Sequence, residues 1–131
     1  MSQCKIKPLV WVASSKKDLK NFPEEVQRNV GYALFRAQEG KIHIHAKPLK
    51  GFGGNSVVEI VENEESSTYR AVYTVKFESA VYVLHAFQKK SHKGIKTPQH
   101  EIDLIKQRLK EALDHYSRSK KEGLIRRTHE K

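Results

Sequence analysis

Arg70, Lys89 and Lys90 are the residues in this 131-residue chain best suited to act on phosphate. An arginine offers a planar fork that binds two phosphate oxygens and stays charged at any relevant pH, whereas a lysine supplies a compact positive charge. Two histidines, His85 and His92, lie near the lysine pair in sequence and are the side chains that move protons most readily near neutral pH. A second basic group, Lys47 and Lys50, borders a stretch with Gly51, Gly53 and Gly54, where the backbone can approach an anion closely. The GxxxxGK[ST] order of a nucleotide-binding P-loop is absent. Lys93 and Lys96 extend the basic stretch that begins at Lys89, and they join Lys47 and Lys50 as candidate phosphate-backbone contacts.

Each of these residues also has a plain structural reading. Arg70 would be an exposed strand arginine paired with Glu59 or Glu62, Lys89 and Lys90 a solvated strand end, and the glycine-rich stretch a connector. His85 alternates with Val81, Val83 and Phe87, so it could equally be a satisfied histidine against a core. His43 and His45 would share a strand face and could hold a metal, but no further ligand cluster accompanies them, so no metal site and no cofactor is expected.

The elements that must position these groups follow from periodicity. Lys5 to Val12 is rich in β-branched and aromatic residues and predicts a strand, placed at a sheet edge or after Pro8 by that proline. Ser14 or Ser15 can cap a short helix through Phe22, and Pro23 with Glu24 and Glu25 starts another. Its apolar stripe is Phe22, Val26, Val30, Ala33, Leu34 and Ala37, and Gly40 ends it. Lys47 to Asn55 reads as a flexible basic loop. Three strand-like runs follow, Ser56–Val61, Thr68–Lys76 and Ala80–Gln88, and they predict an antiparallel meander. In the middle run Tyr69, Ala71, Tyr73 and Val75 alternate with Arg70, Val72, Thr74 and Lys76, which would set Arg70 on an open face. Thr97-Pro98 announces a C-terminal helix with the stripe Ile102, Ile105, Leu109, Ala112, Leu113 and Tyr116. Residues 117–131, with six basic and two acidic side chains, read as a mobile tail beyond a single domain spanning 1–116.

Composition narrows the function classes. The formal net charge is +10, with 12 Lys/Arg against 9 Asp/Glu in residues 1–88 and 13 against 6 in residues 89–131. Such a field attracts polyanions, and nucleic acid is the first to consider. Cys4 is the sole cysteine, which rules out an internal disulfide and fits a reducing compartment. Neither an apolar leader nor a spanning run is evident, so a cytoplasmic protein with no membrane role is expected.

Several blocks carry a family resemblance: Lys47-Pro-Leu-Lys50-Gly-Phe52, Glu59 in Val58-Glu59-Ile60, Thr68-Tyr69-Arg70-Ala-Val-Tyr73, and Leu84-His85-Ala86-Phe87-Gln88-Lys89-Lys90 followed by Lys96-Thr97-Pro98 and Glu101. In that order, over roughly residues 5–116, the chain resembles the RelE/HigB-type toxins of type II toxin-antitoxin systems, in their phage-derived HigB-like branch. The resemblance implies an α+β fold: a twisted, mainly antiparallel sheet of about four strands, two N-terminal helices on one face and a C-terminal helix. It implies an endoribonuclease, an mRNA interferase that cuts messenger RNA on the ribosome by attack of the 2′-hydroxyl on the adjacent phosphate, without metal. A cognate antitoxin, a helix-turn-helix DNA-binding protein, would neutralise it. Two departures leave the general acid and base unassigned: no tyrosine follows Lys90 in the loop or first turn, and Glu59 stands where RelE-type relatives tend to carry a basic residue. The rival readings are a relative that grips RNA or antitoxin without cutting, and a phage structural or assembly component.

Overall fold

In the computed structural model, residues 6–89 and 97–122 are described. The elements are β1 (Leu9–Trp11), α1 (Ser15–Lys20), α2 (Glu24–Gln38), β2 (Ala46–Pro48), β3 (Val57–Glu64), β4 (Ser67–Thr74), β5 (Val81–Lys89) and α3 (Gln99–Glu122). The fold is α+β, and the sheet has five strands in the order β1-β5-β4-β3-β2. Strands β2 to β5 are antiparallel neighbours, whereas β1 runs parallel to β5.

The fifth strand, β2, is a correction to the expected loop. It is three residues long and ends in a proline, which has no N–H to give a ladder, so it can exist only at an edge. Strand β1 begins after Pro8 and forms the other edge.

α2 forms because Val26, Val30, Ala33, Leu34 and Ala37 recur on one face and are all buried. It ends in a Schellman arrangement: the Gly40 N–H donates to the Ala37 carbonyl (2.9 Å) and the Lys41 N–H to the Arg36 carbonyl (2.8 Å). Gly40 has φ +84°, a left-handed conformation that a side chain would strain. Together with Leu19 and Phe22, the α2 stripe packs on the sheet face carrying Val58, Ile60, Tyr69, Ala71, Tyr73, Val81 and Val83.

The opposite face is covered as well, which overturns the expectation of an open face. Ile105 and Ala112 of α3, with Ile102, Leu109 and Tyr116 beside them, pack on Val57, Val72, Tyr82, Leu84 and Phe87. The sheet is therefore a middle layer between α1 and α2 on one side and α3 on the other. Leu113, expected in the α3 stripe, is 46% exposed. The helix also continues past Ser117, through the buried Ser119 to Glu122, into what the sequence suggested was a mobile tail; residues 123–131 lie outside the described residues. Among the described residues, no helix is long and apolar enough to cross a membrane.

One irregularity matters for the site. Val72 pairs with His85 but Tyr73 pairs with Val83, so Leu84 is an extra residue in β5. Such a bulge reverses which face each later side chain meets. Leu84 and His85 consequently both turn toward α3, and His85 sits on the face opposite Val81 and Val83.

Candidate functional site

Register partners across four adjacent strands set up a row of side chains: Lys47 on β2, Glu59 on β3, Val72 on β4 and His85 on β5. Arg70 lies one step along β4 on the same face, opposite Phe87. The start of α3 closes over this row.

Arg70 is not the exposed clamp expected from alternation. It is 2% exposed, and its Nη1 donates to Glu59 Oε1 at 3.0 Å in a buried ion pair. A pairing with Glu59 or Glu62 was legible from the strand order, and Glu59 is the partner; its burial was not legible, because burial depends on α3 covering that face. Thr97 completes the arrangement: its hydroxyl accepts from Arg70 Nη1 and donates to Glu59 Oε1, both at 3.4 Å. A charge pair taken out of water survives only with such further hydrogen bonds.

His85, 6% exposed, is held from both ring nitrogens. Arg108 Nη1 lies 3.2 Å from Nδ1 and can only donate, so the ring proton belongs on Nε2, which donates to Glu101 Oε1 at 2.5 Å. Burial pushes the His85 pKa below the ordinary histidine value, and although Glu101 acts to raise it, the net direction is down. Arg108 Nη1 also donates to the Leu84 carbonyl at 3.0 Å, inside the bulge, and its Nη2 to Ser14 Oγ at 3.4 Å. The His85 ring stacks on Phe87 with centroids 4.8 Å apart.

Beside these groups lies a cavity of about 450 Å³ lined by Lys47, Leu49, Lys50, Glu59, Thr97, Gln99, Ile102 and Lys106, among others. It unites the two lysines singled out near the glycine-rich stretch with a third from α3. Gln99, Ile102 and Lys106 share a helix face at spacings of three and four, as do Glu101, Ile105 and Arg108. Lys106 and Arg108 were missed in the sequence; the available signal was that polar groups recur on the same helix turns as the apolar stripe.

Lys89 ends β5 opposite Thr68. Lys90, His92, Lys93 and Lys96 lie outside the described residues. His43 and His45 do not share a strand face: they lie in the turn before β2, where the His45 N–H donates to His43 Nδ1 (3.0 Å) and His45 Nδ1 meets Glu62 Oε2 (3.2 Å). Among the described residues, no three potential ligands are grouped as a metal would need.

No curated protein matches the chain. A structure described as a mutant of Escherichia coli toxin RelE in the free state is 19% identical, with TM-score 0.47, over 62% of this chain and 81% of that one. The toxin-antitoxin complex RelBE2 of Mycobacterium tuberculosis contains a chain 14% identical, with TM-score 0.43, over 70% of this chain and 100% of that one. Residues 17–110, from α1 well into α3 and including every strand but β1, match the family described as Phage derived protein Gp49-like, and the chain belongs to that family.

Proposed function

We propose that this protein is the toxin of a toxin-antitoxin pair and acts in the cytoplasm as an endoribonuclease on messenger RNA held by the ribosome. The observation that carries the reading is the cavity where Lys47 and Lys50, at β2, converge with Lys106 of α3 beside the buried Glu59–Arg70 pair. Three cations brought together from two distant parts of a chain of net charge +10 form a binding place for a polyanion. Family membership and the sequence resemblance support the same activity.

The chemistry asks for removal of the ribose 2′-proton, protonation of the leaving 5′-oxygen and stabilisation of negative charge on phosphorus. Lysines at the cavity hold the RNA backbone, and Lys89 and Lys90 meet the charge that grows on the scissile phosphate. Neutral His85, with its proton on Nε2, passes hydrogen-bond polarity to the Glu101 carboxylate, so the two act as one proton-handling unit; His92 is the other candidate. Arg70 acts through Glu59, whose carboxylate it holds in place. No step requires a metal. The antitoxin is assigned as a helix-turn-helix protein on the sequence resemblance alone.

One observation favours a second reading, a relative that binds RNA without cutting it: the arginine best suited to clamp phosphate is neutralised by Glu59. Single-turnover assays on translating ribosomes separate the two. Wild type should cut the bound message, and Lys90→Ala should lower the saturated rate by about 100-fold or more while leaving the fold intact. Retained RNA binding with an uncut message would establish the second reading instead.

A further inference from the structure

Glu59 is out of place in a cleft built to attract phosphate. Its carboxylate lines the cavity that Lys47, Lys50 and Lys106 make positive, and a negative charge there repels the RNA backbone those lysines draw in. The residue is 6% exposed, so little of it meets solvent. Arg70 and Thr97 offset its charge, but both bind Oε1, and among the described residues Oε2 has no hydrogen-bond partner. An acceptor is thus left available on a residue that lines the cavity together with the apolar Pro48, Leu49 and Ile102. The volume, about 450 Å³, lies within the range of small-molecule sites and accommodates a nucleotide.

We propose that this cavity receives one unstacked nucleobase of single-stranded RNA, and that Glu59 Oε2 selects bases carrying an amino group. The inference rests on the RNA-binding reading above and adds a base preference to it. Cytosine, adenine and guanine each bear an exocyclic amine that donates to a carboxylate oxygen. Uracil has carbonyl oxygens in the corresponding positions, and its one N–H lies between them. Setting a carbonyl against Oε2 leaves two acceptors facing each other out of water, with neither satisfied. Pro48, Leu49 and Ile102 cover the faces of the base, and the lysines meet the flanking phosphates, as single-strand recognition requires.

The test uses the full chain and five-nucleotide single-stranded RNAs that differ only at the central base and carry a 2′-O-methyl group there, so that binding is read without cleavage. By fluorescence anisotropy, the uracil oligomer should bind at least about 10-fold more weakly than the cytosine, adenine or guanine oligomers. Glu59→Gln presents both a donor and an acceptor and should shrink that gap to within about 2-fold. Because this variant alters a buried ion pair, a second measurement needs no substitution: cytidine monophosphate should shift the Leu49 and Ile102 methyl resonances of the wild-type protein, and uridine monophosphate should not. Equal affinity for all four oligomers, or shifts confined to residues away from the cavity, overturns the proposal. Base preference without cleavage on ribosomes would keep this pocket and remove the ribonuclease; cleavage without preference would do the reverse.

Discussion

Arg70 and Glu59 depend on each other. Each is a charge inside the protein, and removing one strands the other, at a cost of about 3–5 kcal/mol. Arg70→Ala is therefore expected to lose stability of that order in urea denaturation, and any relief of toxicity it brings must be read against the folded fraction. Replacing both residues, as Arg70→Met with Glu59→Leu, should recover most of that loss; a double variant no more stable than Arg70→Ala would refute the account of a stranded charge. His85 gives a pH signature. Its pKa is lowered by burial, so near the ordinary value of about 6.5 the unfolded chain binds more protons than the folded one. The stability this imidazole contributes is complete above about pH 6.5, and it is lost as pH falls through that value toward the lower folded one. Urea midpoints from pH 7.5 to 5 should fall more steeply for wild type than for His85→Gln, and parallel curves would dismiss the histidine as the cause. A partner for Arg70 on the adjacent strand was legible in the sequence as Glu59 or Glu62, and the structure selects Glu59, diagonal to the register partner Val61. The partners of His85 were not, because a single extra residue in β5 reversed its face, and nothing in Leu84-His85-Ala86 announces a bulge.

At the scale of elements, α3 has the most to do, since it turns a face that would be open into the floor of a cleft. Ile105 is fully buried against the sheet and Leu113 is 46% exposed, although both belong to the stripe expected from periodicity. Ile105→Ala should cost about 2–5 kcal/mol, whereas Leu113→Ala should stay within about 0.5 kcal/mol. Thermal or urea unfolding of the two variants decides the matter, and similar losses would mean that the helix is rotated from the orientation described. Helix periodicity tells which residues share a face but not how wide the contact with a twisted sheet is, which is why the stripe was legible and its margin was not. The same limit hid β2: three residues ending in proline carry no alternation to read, and only pairing with β3 makes them a strand.

For the molecule as a whole, charge is the property most directly visible in composition and most directly measurable. Neutralising one phosphate of a single strand changes log K against log salt by about −0.7, so three lysines at the cavity imply a contribution near −2. Changing Lys47, Lys50 and Lys106 together to alanine should flatten the salt dependence of RNA binding by about that amount. An unchanged slope would mean that the RNA is held elsewhere.

The parallel pairing of β1 with β5 also has a consequence in time. Among the described strands β1 is made first, yet the strand it pairs with, β5, is made last, so the edge strand waits through the synthesis of β2, β3 and β4. The cleft waits longer still, because Thr97, Gln99, Ile102 and Lys106 line it and Arg108 fastens the β5 bulge, and all of them follow β5 in the chain. Domains fold as units once their contacts are available, and here the decisive contacts join segments made early to segments made late. The cleft therefore cannot form until α3 has left the ribosome, so any activity it carries is postponed by topology to that point.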